Sequence, residues 1–299
     1  MPTMSDLLSL LSARTGILDG AMGTEMQRAG LAAGECGELW NLDYPERIAA
    51  IHSSYIEAGS DAIITATFGA NPWVLGRFGA AGEVEAVNRA AARVARGVAR
   101  DATCVLGDLG PSGGLLRPLG SIDPADLLAQ FTRQARALVG AGVDGIIIET
   151  MSAVEEAAIA IRAARAAGAP LVIVSMAFDR LPNGSIRTMM GVSPEQAARM
   201  ADQEGADIVG ANCGTSMTTA DFARVVEAFR GATARPIVAQ ANAGTPELAD
   251  GRAVYRLTPE ELAEGMTAVV SAGASAVGGC CGTTPDHIAA LSRRFKPAA

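Results

Sequence analysis

Three cysteines of this chain stand in two widely separated glycine-flanked segments, Asn212-Cys213-Gly214 and Gly279-Cys280-Cys281-Gly282. Thiolates are soft ligands suited to zinc, and three of them leave one tetrahedral position open, as in a catalytic rather than a closed structural site. On a regular strand Cys280 and Cys281 would point to opposite faces. Their glycine neighbours let the backbone turn so that both face one ion. A substrate thiol entering the open position would be deprotonated outright, whereas a free thiol, with a pKa of about 8.5, is mostly protonated near pH 7. The chemistry this favours is attack of a thiolate on an electrophilic carbon. The spacing matches no finger or ribbon pattern, so three buried thiols without a metal remain the competing reading. Convergence of the two segments at one face of the fold would favour the ion. Cys36 and Cys104 read as small buried hydrophobes. His52 and His287 lie on helical stretches, lack a second histidine at metal spacing, and read as surface residues.

Whether the two segments meet depends on the elements between them. Short apolar runs occur at Gly16–Leu18, Ala62–Thr67, Cys104–Leu109, Gly145–Glu149, Leu171–Met176, Ile208–Ala211, Ile237–Ala241 and Ala276–Gly278. Most are rich in Ile and Val without polar alternation, as parallel strands buried on both faces are. Ala-rich helical stretches follow them: Glu46–Ala58, Glu83–Arg100, Pro124–Ala141, Ala153–Ala167, Pro194–Gly205, Thr219–Arg230, Pro259–Ala272 and Pro285–Phe295. Ser193-Pro194-Glu195-Gln196 supplies an N-cap, a proline at the first helical position and a capping-box Gln. Thr258-Pro259 and Thr284-Pro285 repeat the device, and Ala-Gly pairs mark helix ends. Eight strand–helix units without a polar linker predict an α/β fold, a single (β/α)8 TIM barrel over residues 1–299. A doubly wound sheet is the alternative, but no phosphate-binding GxGxxG or GxxxxGK[ST] follows an early strand. Gly110-Pro111-Ser112-Gly113-Gly114 reads as a tight turn. In a barrel the chemistry lies at the C-terminal strand ends, here Asp19-Gly20, Thr67, Asp108, Glu149, Met176, Asn212-Cys213, Asn242 and Gly279-Cys280-Cys281.

Charge and composition narrow the partners. The 299 residues hold 24 Lys plus Arg against 32 Asp plus Glu, a formal net charge of −8, with 4% aromatics. Nucleic-acid binding wants a basic stripe and stacking platforms, and an anionic membrane would repel this surface. No apolar stretch approaches the ~18 residues that span a bilayer, and the N-terminus lacks a cationic n-region. An odd number of cysteines reads as reduced thiols. The expectation is a soluble cytoplasmic protein with neither nucleic-acid nor membrane partners.

Asp19-Gly20-Ala21-Met22-Gly23-Thr24, Thr65-Ala66-Thr67-Phe68-Gly69-Ala70-Asn71, Glu149-Thr150, Asn212-Cys213-Gly214 and Gly278-Gly279-Cys280-Cys281-Gly282-Thr283-Thr284-Pro285 together resemble the homocysteine S-methyltransferase family. The resemblance runs in order through nearly the whole chain. It implies a zinc-bearing barrel, one ion per chain, that makes methionine from homocysteine. Cys213, Cys280 and Cys281 match the zinc ligands. Asp19, Gly20, Thr67 and Glu149 match the amino-acid-binding positions, with Asn212 of the strand-end ring grouped beside them. Glu149 and Asp19 take the catalytic roles, Glu149 accepting charge-assisted bonds from an ammonium. Ala66 departs from the TNTFGAN of many methionine-synthase-like members. Betaine-using members line the donor end with aromatics. The matching positions here are Trp40, Gly69 and Thr150, which disfavours betaine and favours a methylcorrinoid (methylcobalamin) carried by a separate corrinoid protein. A betaine donor, another thiol acceptor, or a non-catalytic zinc barrel that docks a partner are the alternatives.

Overall fold

The computed structural model describes residues 4–249 and 252–296, so the expectations that touch residues 1–3, 250–251 and 297–299 lie outside it. Its strands are β1 (Gly16–Ile17), β2 (Ala62–Ile64), β3 (Cys104–Leu109), β4 (Gly145–Met151), β5 (Val172–Met176), β6 (Ile208–Asn212), β7 (Ile237–Ala241) and β8 (Ala276–Gly279). All pair in parallel with their sequence neighbours, β8 returns to β1 through Gly16–Ala276 and Ile17–Val277, and a Leu18–Ala62 bridge joins β1 to β2. The ring is closed, as the expected barrel requires. Helices α1 (Pro45–Glu57), α2 (Val84–Val98), α3 (Pro124–Val139), α4 (Val154–Ala166), α5 (Pro194–Glu204), α6 (Thr219–Ala232), α7 (Pro259–Ser271) and α8 (Pro285–Phe295) each follow the strand of the same number.

Capping boxes start α5 at Ser193/Gln196, α7 at Thr258/Glu261 and α8 at Thr284/His287, with an unanticipated fourth on α6 at Thr218/Asp221. The strand expected over Ala62–Thr67 ends early, because the Thr67 N–H donates to the Thr65 carbonyl and turns the chain. Two small antiparallel hairpins, Asp179–Arg180 with Ile186–Arg187 and Glu247–Ala249 with Arg252–Val254, interrupt the loops after β5 and β7. Asn183-Gly184, a turn pair, was the available signal for the first.

Alternation along the strands makes two cores. Leu106, Ile147, Ile173, Ile208 and Val238 fill the barrel interior, which Leu7 and Leu11 of the helix Met4–Ala13 plug from below. At Gly16 a Cβ would stand 2.5 Å from the Leu11 side chain, so this close approach demands glycine. The intervening residues, among them Val105, Ile146, Val172, Val209 and Ile237, pack outward in the cluster that contains Phe131, Phe222 and Phe229. Burying each such side chain contributes roughly 1.5–3 kcal/mol.

Carboxylates tie the N-terminal end of the barrel. Asp61, Asp144 and Asp207 stand directly before β2, β4 and β6. Each accepts an N–H from the start of the preceding strand, its first or second residue: Ile17 (2.9 Å), Val105 (2.7 Å) and Val172 (2.8 Å). Each also pairs with an arginine, Arg14, Arg96 and Arg165 respectively. Lys296 adds a second cation to Asp61 at 2.7 Å.

Both histidines depart from the surface expectation. His52 shares the buried face of α1 with Ile48, Tyr55 and Ile56, at helical spacing, and neither ring nitrogen has a hydrogen-bond partner. His287 is buried with Nδ1 against Thr284 and Nε2 2.8 Å from the Leu257 carbonyl. Among the described residues no helix is long and apolar enough to cross a membrane.

Candidate active site

Because alternate residues share a face, the inward positions continue upward from the interior apolar layer to Asp108 on β3, Glu149 on β4, Ser175 on β5, Asn212 on β6 and Gln240 on β7. The strand-end reading therefore shifts at two places. Met176 is buried in the outer core, and Ser175 takes the inner position. Asn242 lies beyond β7, its amide donating to the Gly214 carbonyl at 2.9 Å, while Gln240 lines the cavity at the barrel mouth.

The two cysteine segments meet there. The Sγ atoms of Cys213, Cys280 and Cys281 all lie within 4.8 Å of one another, and Cys213 and Cys281 are 3.8 Å apart. A tetrahedral zinc with bonds of about 2.3 Å needs sulfurs about 3.8 Å apart. All three line the same cavity, which leaves a side open for a further ligand. The donor set fits the metal the family resemblance implies. Bonding from the Cys213 and Cys280 thiols pulls Cys281 down to about 3, while Cys280, hydrogen-bonded to Cys213 and Cys281, is held well above the usual thiol range. A thiolate is thus favoured within the cluster. Buried Thr283 fastens the cysteine turn to the β1 turn: its hydroxyl donates to the Cys280 carbonyl (2.7 Å) and accepts from the Ala21 N–H (3.1 Å). A Cβ at Gly20 or Gly279 would stand 2.8 or 2.2 Å from that hydroxyl, so both glycines serve this contact.

The cavity, about 330 Å³, is also lined by Asp19, Asp108, Glu149 and Glu38 and, among the described residues, by no lysine, arginine or histidine. Asp19 accepts the Ile64 N–H with Oδ2 at 2.8 Å, but its Oδ1 is buried without a partner, as are Asp108 Oδ1 and Gln240 Oε1. Burial pushes Asp19 and Asp108 well above the ordinary carboxylate range, with Glu149 adding repulsion to both. Burial and the charge at Cys213 push Glu149 up to about 7. Buried acceptors without donors are costly unless a ligand supplies them. An ammonium group supplies three.

Other expected residues are placed differently. Thr67 is fully buried, its hydroxyl donating to the Asp108 carbonyl (2.8 Å) and touching the Thr65 hydroxyl (2.7 Å); Thr65 lines the cavity instead. Asn212 spends its amide inside the protein. Its Oδ1 accepts from the Thr150 N–H and the Ser175 hydroxyl, and its Nδ2 donates to the Thr150 hydroxyl and faces Cys280. Trp40, expected at the donor end, is buried beneath Arg47, whose guanidinium stands 5.0 Å from its ring centre, and it does not line the cavity. Gly69 donates its N–H to Glu38 Oε1 at 2.8 Å. A Cβ there would stand 2.6 Å from that oxygen, so a side chain at this position would have to displace Glu38. Thr150 does line the cavity, and so does Phe68, 40% exposed, an aromatic the donor-end comparison passed over. Its place next to Gly69, in a segment already singled out, was the available signal.

Comparison with known proteins agrees with this architecture. The family model described as homocysteine S-methyltransferase matches residues 16–295. The methionine synthase of Mycobacterium tuberculosis is 34% identical over 298 residues, covering 95% of this chain and 25% of that protein. That of Mycobacterium leprae is 33% identical over 299 residues, covering 95% and 24%. The chain thus spans about a quarter of the length of these relatives. The crystal structure of the Escherichia coli homocysteine methyltransferase MmuM, metallated form, superposes with a TM-score of 0.77 over 97% of this chain and 99% of that one, at 24% identity, a likeness of fold.

Proposed function

This chain belongs to the homocysteine S-methyltransferase family, and on that premise we propose that residues 1–299 act as one barrel domain that transfers a methyl group to the thiol of homocysteine, giving methionine. The observation that supports this most is a single cavity lined both by three convergent thiols and by aspartates with buried, unpartnered oxygens. An amino acid with a terminal thiol has complementary ends. Cys213, Cys280 and Cys281 would hold zinc, which when bound supplies a Lewis acid that favours the thiolate form of a thiol. Glu149, Asp19 and Asp108 surround the position for the ammonium, whose charge favours their ionised forms and offsets their burial. Gly20 lets the β1 turn lie against Thr283, which keeps Asp19 in register with the cysteine turn. Fixing both ends of the acceptor places its sulfur for in-line attack.

The donor enters at the mouth, beside Phe68 and Glu38. A corrinoid ring is too broad for this cavity, so a methylcorrinoid would be presented from outside by a separate protein. The name of the relatives, methionine synthase, supports methionine as the product. A second reading, a small cationic donor such as a betaine or sulfonium, is supported by the Phe68 ring beside the Glu38 carboxylate. Reduced thiols suit a cytoplasmic setting.

Metal analysis and a donor panel test the proposal. Purified protein is expected to carry about one zinc per chain, lost in Cys280→Ala and Cys281→Ala while the circular dichroism spectrum is kept. Homocysteine is then offered with methylcobalamin, betaine and a sulfonium amino acid, and other thiols with methylcobalamin. Full zinc in both variants overturns the metal assignment. Four protein ligands around the ion, with no turnover from any donor, would favour a docking barrel.

A further inference from the structure

We propose that Asn212 is a positioning residue that sets the Glu149 carboxylate against the thiol cluster by gripping a strained bulge in β4; the assignment rests on the homocysteine reading of the cavity. The pairing of β4 with β5 runs from Ile148–Val174 to Met151–Met176, so three steps on β4 match two on β5. The extra residue is a bulge, a device that re-aims neighbouring side chains. Thr150, inside it, has φ of 60°, in the left-handed region that a β-branched residue almost never adopts.

Something must hold Thr150 there, and the bonds come from one side chain. Asn212 Oδ1 accepts the Thr150 N–H at 3.0 Å, and Asn212 Nδ2 donates to the Thr150 hydroxyl at 2.7 Å. Two bonds to backbone and side chain of one residue fix its orientation. The same Oδ1 accepts from Ser175 at 2.7 Å, anchoring the amide to β5, and Nδ2 lies 3.8 Å from Cys280 Sγ beyond β8. Asn212 is 1% exposed, with both amide groups committed inside the protein. The chain on either side carries function: Glu149 precedes Thr150, and Cys213, itself at φ of 59°, follows Asn212. One amide thus links the segment that carries Glu149 to the segments that carry the thiols.

The grip is tested by a double-mutant cycle of wild type, Asn212→Ala, Thr150→Gly and the double variant. Glycine adopts positive φ freely, so it should keep the bulge without the grip. Asn212→Ala is expected to raise the homocysteine KM about tenfold with a smaller change in kcat, while zinc affinity by chelator competition stays within a few-fold. In the Thr150→Gly background the same substitution should change KM less than twofold. Equal KM losses in both backgrounds, or a fall in kcat and melting temperature at constant KM, overturn the proposal. Should Asn212→Ala fail to fold, Asn212→Ser replaces it, a side chain too short to reach both the Thr150 N–H and its hydroxyl. A wild type inert toward homocysteine with every donor breaks the underlying reading instead. The grip is then judged by thermal unfolding of the four proteins, where additive shifts overturn it and non-additive shifts support it.

Discussion

Buried aspartates occupy both ends of this barrel, and the two sets differ in what surrounds them. Asp61, at the N-terminal end, meets Arg14, Lys296 and the Ile17 N–H. Burial pushes its carboxyl up, but those partners outweigh burial and hold it below the usual carboxylate range. Asp19 and Asp108, at the other end, are as deeply buried, with no cation among the described residues that line their cavity, and each has an oxygen without a partner. Burial therefore dominates, and both are held well above that range. The same residue type is tied into the structure where the fold supplies its donors and is left with an open acceptor where the fold withholds them.

The largest expected effect is at the structural end. Asp61→Ala strands two cations and a strand N–H, and breaking a buried pair of this kind costs about 3–5 kcal/mol. Urea unfolding should show that loss, with homocysteine kinetics unchanged well below the melting temperature. A cost under ~1 kcal/mol would remove the contrast between the two ends. The pH dependence has a definite sign: the Asp61 carboxyl is depressed on folding, so its contribution is present above the ordinary carboxylate range and lost as pH falls through its lowered value.

His52 gives a case with no partners at either end of the scale. Burial lowers it from 6.5 to about 4, so folding stability is full above its unfolded value and declines as pH falls from 6.5 toward 4. At about 1.4 kcal/mol per unit the loss reaches about 3 kcal/mol by pH 4. His52→Leu should flatten that part of the stability–pH curve, and an unchanged slope would mean the ring is hydrated.

At the mouth, Glu149→Gln keeps the shape and removes the charge proposed to face the homocysteine ammonium. A charge-assisted bond of this type contributes ~1.5–3 kcal/mol, so homocysteine kcat/KM should fall tens-fold. Unchanged kinetics would place the amino acid elsewhere in the cavity. The smallest effect expected is a gain. Asp108→Asn removes a buried carboxyl whose ionised form has no cation to pair with, and stability should hold or rise by up to about 1 kcal/mol, read as the melting temperature. A clear loss of stability would show that Asp108 has a structural partner after all, and that the mouth resembles the other end.

Much of this was legible along the chain. The eight strand–helix units, the helix starts at Ser193, Thr258 and Thr284 and the two cysteine segments depend on periodicity and capping within windows of about ten residues. That is why the barrel and the meeting of Cys213 with Cys280 and Cys281 were foreseeable. The burial of His52 is legible locally too, since its spacing from Ile48 and Ile56 puts it on the apolar face of α1. What only the tertiary structure decided is which polar atoms are spent and which are left over. Thr67 gives its hydroxyl to a carbonyl 41 positions away, Asn212 gives its amide to a residue 62 positions away, and Trp40 lies under Arg47 rather than at the mouth. Hydrogen-bond partners so distant in sequence are chosen by how the closed barrel brings its strands together, and no local window contains them.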